Sequence, residues 1–172
     1  MSSESLYDGL MDGDDVRWLT DDEERAWIPF VSTVMWMPAA LDLQLERDAG
    51  LSMFEYLVLS GLSMQDDRSL RLRDLALFAN STLSRLSKVV NRLSDQGWVE
   101  RRPDPDDGRS TLATLTDAGW DKVVATAPGH VAQVRELIFD RLTPAEVEQL
   151  RTITSKLSTA VGPDGACAGK LA

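Results

Sequence analysis

Apolar residues along this chain recur mostly every three to four positions, the spacing that turns one helix face inward. Three helix starts are marked by Ser or Thr placed three residues before Glu: Thr20–Glu23, Ser52–Glu55 and Thr143–Glu146. In such a capping box the hydroxyl and the carboxylate satisfy amides exposed at the helix start. Pro144 adds the first-position proline that helix starts favour. The pattern predicts a first helix over 21–48, bent or split by Pro29 and Pro38. A short apolar helix over 52–64, a brief strand over 69–72 and a short helix over 73–80 follow. A helix over 81–97 stops at Gly97. "WVERR" and "TLATL" are rich in Val, Thr and Leu and read as strands. Asp107–Gly108 between them signals a hairpin. Thr116 can cap a long helix that Pro128–Gly129 disturbs midway, and a last helix spans 144–161. The order is mainly α with one small β-hairpin, an α+β arrangement in which a helix–turn–helix is followed by a wing.

The helix over 81–97 carries the candidate chemistry. Leu83, Leu86, Val90 and Leu93 form its inward face. The opposite surface presents Ser84, Arg85, Lys88, Asn91 and Arg92, with Thr82 and Ser87 at its edges. Arg can pair in bidentate fashion with guanine and Asn with adenine, while Ser and Thr suit base edges or phosphates. An ordinary amphipathic surface helix would carry similar residues; the short helix before it and the hairpin after it favour a DNA reader.

Charge sharpens this picture. The chain of 172 residues has a formal net charge of -10, unpromising for a nucleic-acid partner. Residues 1–24 hold nine acids and one base, a net of -8, whereas residues 68–109 hold nine bases and six acids, a net of +3. Half of the 18 Lys and Arg therefore lie in about a quarter of the chain. A solvated mixed-charge face could look the same.

Other chemistries find little support. One cysteine, Cys167, excludes an intrachain disulfide framework, and one histidine, His130, argues against a His-rich zinc site. There is no Ser–His–Asp arrangement and no phosphate-cradling glycine loop, so neither catalytic residues nor a cofactor or metal is expected. No uninterrupted apolar run reaches the roughly 18 residues of a membrane span, and no export signal opens the chain. A cytosolic protein without a membrane partner is expected.

The run 75–119 resembles the winged-helix core of the MarR family of bacterial transcription regulators. Its most specific parts are Asp107-Gly108-Arg109, the Leu115-Thr116-Asp117-Ala118-Gly119 motif and the "RL…GWVER" junction from Arg92 to Arg101. The two prolines of the first helix depart from the family pattern. The resemblance implies one domain over 20–161, with a winged helix at about 52–116 and dimerisation helices at about 20–48 and 117–161. An acidic leader (1–19) and a tail (162–172) flank it. It further implies that Arg109 enters the minor groove of double-stranded DNA and that Asp107 holds its guanidinium. Plain turn chemistry is the alternative for Asp107-Gly108.

Val147, Leu150, Ile153, Leu157 and Val161 form an apolar seam on the last helix. With the resemblance, the seam implies a homodimeric repressor reading a palindromic operator; the bland alternative packs these helices on their own domain. A small aromatic or amphipathic ligand is the further expectation, lined by Trp27, Trp36, Met37, Met53, Phe54 and Tyr56, a stripe that plain core packing would also produce. Thiol sensing through Cys167 is not expected, because the early helices carry no cysteine. A winged helix serving as a protein-interaction module is the competing function.

Overall fold

The computed structural model describes residues 16–105, 107–108 and 110–161. Most of the acidic leader, the tail with Cys167, and Arg109 therefore lie outside the described residues. Helix α1 (Asp21–Ala49) is followed by α2 (Met53–Ser63), β1 (Ser69–Arg71), α3 (Leu72–Phe78) and α4 (Leu83–Asp95). Strands β2 (Val99–Pro103) and β3 (Thr111–Leu115) precede α5 (Asp117–Leu137), a short 3-10 turn and α6 (Pro144–Val161).

All three capping boxes form. Thr20, Ser52 and Thr143 each donate a backbone N–H and a hydroxyl to the Glu three residues on, at 2.7–3.0 Å. The prolines do less than the sequence suggests. Helix α1 is not split at Pro29 or Pro38, and α5 runs through Pro128. A proline removes one bond of the ladder, and the eight residues between Pro29 and Pro38 leave enough bonds to carry the helix through. The Thr33 hydroxyl also occupies the Pro29 carbonyl at 2.8 Å.

The chain divides into two compact units at Met37/Pro38. In the first, the described helix is largely exposed, Trp27, Ile28, Val34, Met35 and Trp36 included, and Trp27 lies 6.1 Å from Phe30 between ring centroids. By length and averaged composition α1 could cross a membrane (mean hydropathy 1.2), although no single apolar run predicts it.

The second unit holds the winged core. Leu45, Leu51, Val58, Leu59, Leu62, Leu75, Leu86, Val90, Leu93 and Val99 fill it. Its sheet has the order β1-β3-β2, all antiparallel, with Leu70 opposite Ala113 and Arg101 opposite Ala113 on the other side. The wing is wider than the Asp-Gly hairpin signal implies: residues 104–110 connect β2 to β3. Two-residue loops need positive φ at their centre, and Gly108 is not among the positive-φ glycines.

Candidate nucleic-acid interface

Helix α3 ends where Asn80 takes a left-handed φ of 46°, a conformation Asn tolerates better than most residues. Thr82 then caps α4, its hydroxyl accepting the Arg85 N–H at 3.2 Å. Leu86, Val90 and Leu93 are fully buried. Leu83 is not part of that face: it is 52% exposed. It occupies the first helical position, where the helix tip projects beyond the core, and Cβ vectors lean toward the N-terminus.

At 100° per residue, the ridge opposite the buried stripe carries Ser84, Lys88, Asn91 and Asp95, all but Ser87 beside it being exposed. Asp95 places an acid at the C-terminal end of this ridge, so cationic and neutral polar groups concentrate in the first two turns.

Both flanks of α4 are held. On the α2 side, the Arg85 guanidinium lies over the Phe54 ring, 4.5 Å from its centroid, and Arg92 Nε meets Glu55 Oε1 at 2.7 Å. On the wing side, Arg101 Nη1 donates to Asn91 Oδ1. A groove of about 390 Å³ opens there, lined by Arg73, Leu83, Ser87, Arg101 and Thr111 among others.

The wing loop is organised by two aspartates. Asp104 is buried, and its carboxylate accepts from Arg71 Nε at 2.5 Å. That hydrogen bond, followed by the charge attraction, raises the Arg71 pKa above its ordinary value. Asp104 N–H donates to the Ser110 carbonyl at 3.0 Å, and Ser110 N–H donates to the Asp107 carbonyl at 2.8 Å. Asp107 Oδ2 also accepts from the Ser110 hydroxyl at 2.8 Å. By sequence Asp104 is one of the six acids over 68–109; its burial had no local signal.

The Leu-Thr-x-x-Gly motif has a structural basis. Thr116 Oγ1 donates to the Gly97 carbonyl at 2.7 Å and accepts the Gly119 N–H at 3.0 Å. Thr116 N–H donates to the Trp98 carbonyl at 3.0 Å. A Cβ on residue 119 would lie 2.1 Å from that carbonyl oxygen, so only glycine fits.

The expected ligand-lining residues fall in different surroundings. Trp27 and Trp36 are exposed and Met37 is half-buried on α1. Met53 and Phe54 pack partly buried against the winged core, and Tyr56 is buried, its ring 4.7 Å from that of His130. Of the seam on α6, Val147 and Leu150 are half-buried while Ile153, Leu157 and Val161 are exposed in the single chain. Among the described residues no group of three or more His, Cys, Asp or Glu could hold a metal ion.

The fold has relatives among solved structures. A solved structure of Sco3205, a MarR family transcriptional regulator from Streptomyces coelicolor in complex with DNA, is 40% identical. The match covers 88% of this chain and 94% of that one, with a TM-score of 0.82. The chain belongs to the MarR family. A MarR family model matches residues 49–110, from the end of α1 through the wing loop. AbsC, another MarR regulator from Streptomyces coelicolor, is 31% identical over 85% of this chain and 98% of its own, with a TM-score of 0.80. The transcriptional repressor MprA of Escherichia coli K12 is 26% identical over 63% of this chain. The chain spans 38% to 61% of the length of the curated relatives it matches. As in its relatives, this MarR chain is mostly helical with one small three-stranded sheet.

Proposed function

We propose that this protein is a cytosolic, homodimeric, sequence-specific DNA-binding regulator, a repressor in its simplest mode, that reads an inverted repeat. The observation that carries the reading is the outward ridge of α4, where Ser84, Lys88 and Asn91 stand exposed between two braced flanks. A helix so held can enter the major groove with side chains already oriented, and its N-terminal turns reach the base edges. The 40% identity to a regulator solved in complex with DNA supports the same use of this surface. MprA, a transcriptional repressor, supports the sign of the effect.

The wing completes the footprint. Arg109, by its match to the family motif, enters the minor groove, where negative potential attracts a guanidinium. The proposed dimer uses the α6 seam, where Ile153, Leu157 and Val161 stand exposed.

The test is selection of duplexes from a random library, followed by salt titration of wild type, Lys88→Ala and Arg109→Ala. The expected result is enrichment of an inverted repeat, with the log-affinity against log-salt slope falling by about one for each cation removed. Absence of any enriched sequence, with no salt-dependent duplex binding, would leave the interaction-module reading in its place.

A further inference from the structure

Arg85 and Arg92 are seven residues apart, nearly two full helical turns, so they lie on one line along α4. By sequence they are equivalent candidates for touching DNA. Their surroundings differ. Consecutive residues of the first turn of α2, Phe54 and Glu55, take one arginine each. We propose that this turn sorts the two arginines, Phe54 presenting Arg85 to the bases and Glu55 withholding Arg92 from the DNA. The proposal rests on the DNA-binding reading above.

Phe54 meets Arg85 with its ring face, 4.5 Å from centroid to guanidinium carbon. Such a contact restrains the cation by quadrupole attraction and dispersion without consuming its N–H donors. The donors that pair with guanine O6 and N7 lie in the guanidinium plane. An exposed arginine that docks on DNA must give up rotamer freedom. A ring that already restrains it lowers that cost, and does so most for the base whose acceptors fit the restrained pose. Phe54 is thus a positioning residue, outside the helix–turn–helix itself.

Glu55 does the opposite for Arg92. One carboxylate oxygen, Oε2, accepts the Ser52 N–H at 2.8 Å and the Ser52 hydroxyl at 2.7 Å. The other, Oε1, lies 2.7 Å from Arg92 Nε in an ion pair. The Glu55 side chain is only 12% exposed. Fixed by its own capping box, it cannot follow Arg92 toward a phosphate, and losing the guanidinium would leave a nearly buried charge without its counterion. The start of α2 is itself anchored, because Asp42 Oδ1 of α1 accepts the Met53 N–H at 2.6 Å. Arg92 consequently fixes the rotation of α4 about its axis, and its charge is already matched.

The test uses the operator selected by the wild-type protein, a panel of its single base-pair variants, and a salt titration. Phe54→Leu keeps apolar bulk and removes the ring face; Phe54→Trp keeps a face. Phe54→Leu should lose about threefold discrimination at the base pair where Arg85→Ala also loses it. The double variant should lose no more than Arg85→Ala alone, and Phe54→Trp should retain preference. Equal weakening on every duplex by Phe54→Leu, or a loss that adds to that of Arg85→Ala, would overturn the presenting role. Arg92→Gln should weaken binding with an unchanged salt slope, whereas Lys88→Ala lowers the slope by about one. A drop of about one for Arg92→Gln would overturn the withholding role. Should that variant fail to fold, Glu55→Gln, which preserves a capping side chain and releases Arg92, should steepen the slope; an unchanged slope would mean that Arg92 already touches phosphate, which overturns it. Failure of the wild type to select any operator would instead sink the DNA-binding reading, and this proposal with it.

Discussion

Arg71 and Asp104 join the end of β1 to the start of the wing loop through a 2.5 Å hydrogen-bonded ion pair. Its two halves are unlike: the Asp104 side chain is 3% exposed and that of Arg71 46%. Water can solvate the cation if the pair breaks, but hardly the carboxylate.

That difference predicts unequal costs. Arg71→Met removes one ion-pair partner from a buried carboxylate, while Asp104→Asn leaves a half-exposed guanidinium that hydrates. Thermal unfolding of the two variants should give the larger loss of melting temperature for Arg71→Met. The reverse order would show that the carboxylate is not the dependent partner.

Gly119 and Gly108 give a second contrast. A Cβ at 119 would meet the Trp98 carbonyl oxygen at 2.1 Å, whereas one at 108 meets nothing within 4 Å. Gly119→Ala should destabilise by about 1–3 kcal/mol or more, since backbone must move. Gly108→Ala should be close to neutral in denaturant unfolding. Comparable midpoints for the two would contradict the close approach at the start of α5.

His130 offers a pH test that no other histidine can obscure, since the chain has one. Burial lowers its pKa below the ordinary 6.5, and its Nδ1 is buried without a partner. On acidification the unfolded chain takes the proton first, so stability is full above about pH 6.5 and falls as pH drops toward the lowered folded value. Asp48, held at about pKa 2 chiefly by the hydrogen bond from Arg47, acts in a lower window: its contribution is lost below about pH 4. His130→Phe should keep the ring contact with Tyr56 and flatten the melting temperature between pH 7 and 5.5. A slope in that interval equal to wild type would exclude His130 as its source.

The α6 seam is tested by charge. Leu150→Glu with Leu157→Glu places two carboxylates on the surface proposed to meet a second copy. Leu157 is exposed in the single chain, so the substitution there burdens the isolated fold little. Sedimentation should show monomers, with operator binding lost alongside. A dimer that persists and binds would move the interface elsewhere.

Much of the fold was legible because its signals are local. Capping boxes need residues three apart, and all three form. Gly97 stops α4 with a φ of 75°, which its sequence position announces. The helix over 144–161 and the strands around the wing follow from periodicity. The site was legible as a helix face and less so as individual roles. Leu83 fits the inward spacing but occupies a helix tip, which periodicity ignores. Arg92 fits the outward face, but its partner Glu55 lies 37 positions earlier and is already spent, by its pattern, on a cap. Asp104 sits in an acidic turn whose charges look equally solvated until the chain folds back. Each depends on what a distant segment brings near, and no local spacing encodes that.

The Thr116 hydroxyl, bonded at once to the residue that stops α4 and to the first turn of α5, makes a joint without slack. Helix α5 is thereby tied at its first turn to the reading head and acts as a stiff arm. In the proposed dimer the span between two reading heads is then a matter of helix length and tilt, fixed in the protein. Operator spacing becomes a ruler measurement: inserting one base pair between half-sites shifts the second by about 3.4 Å and rotates it by a tenth of a turn, and a stiff arm follows neither.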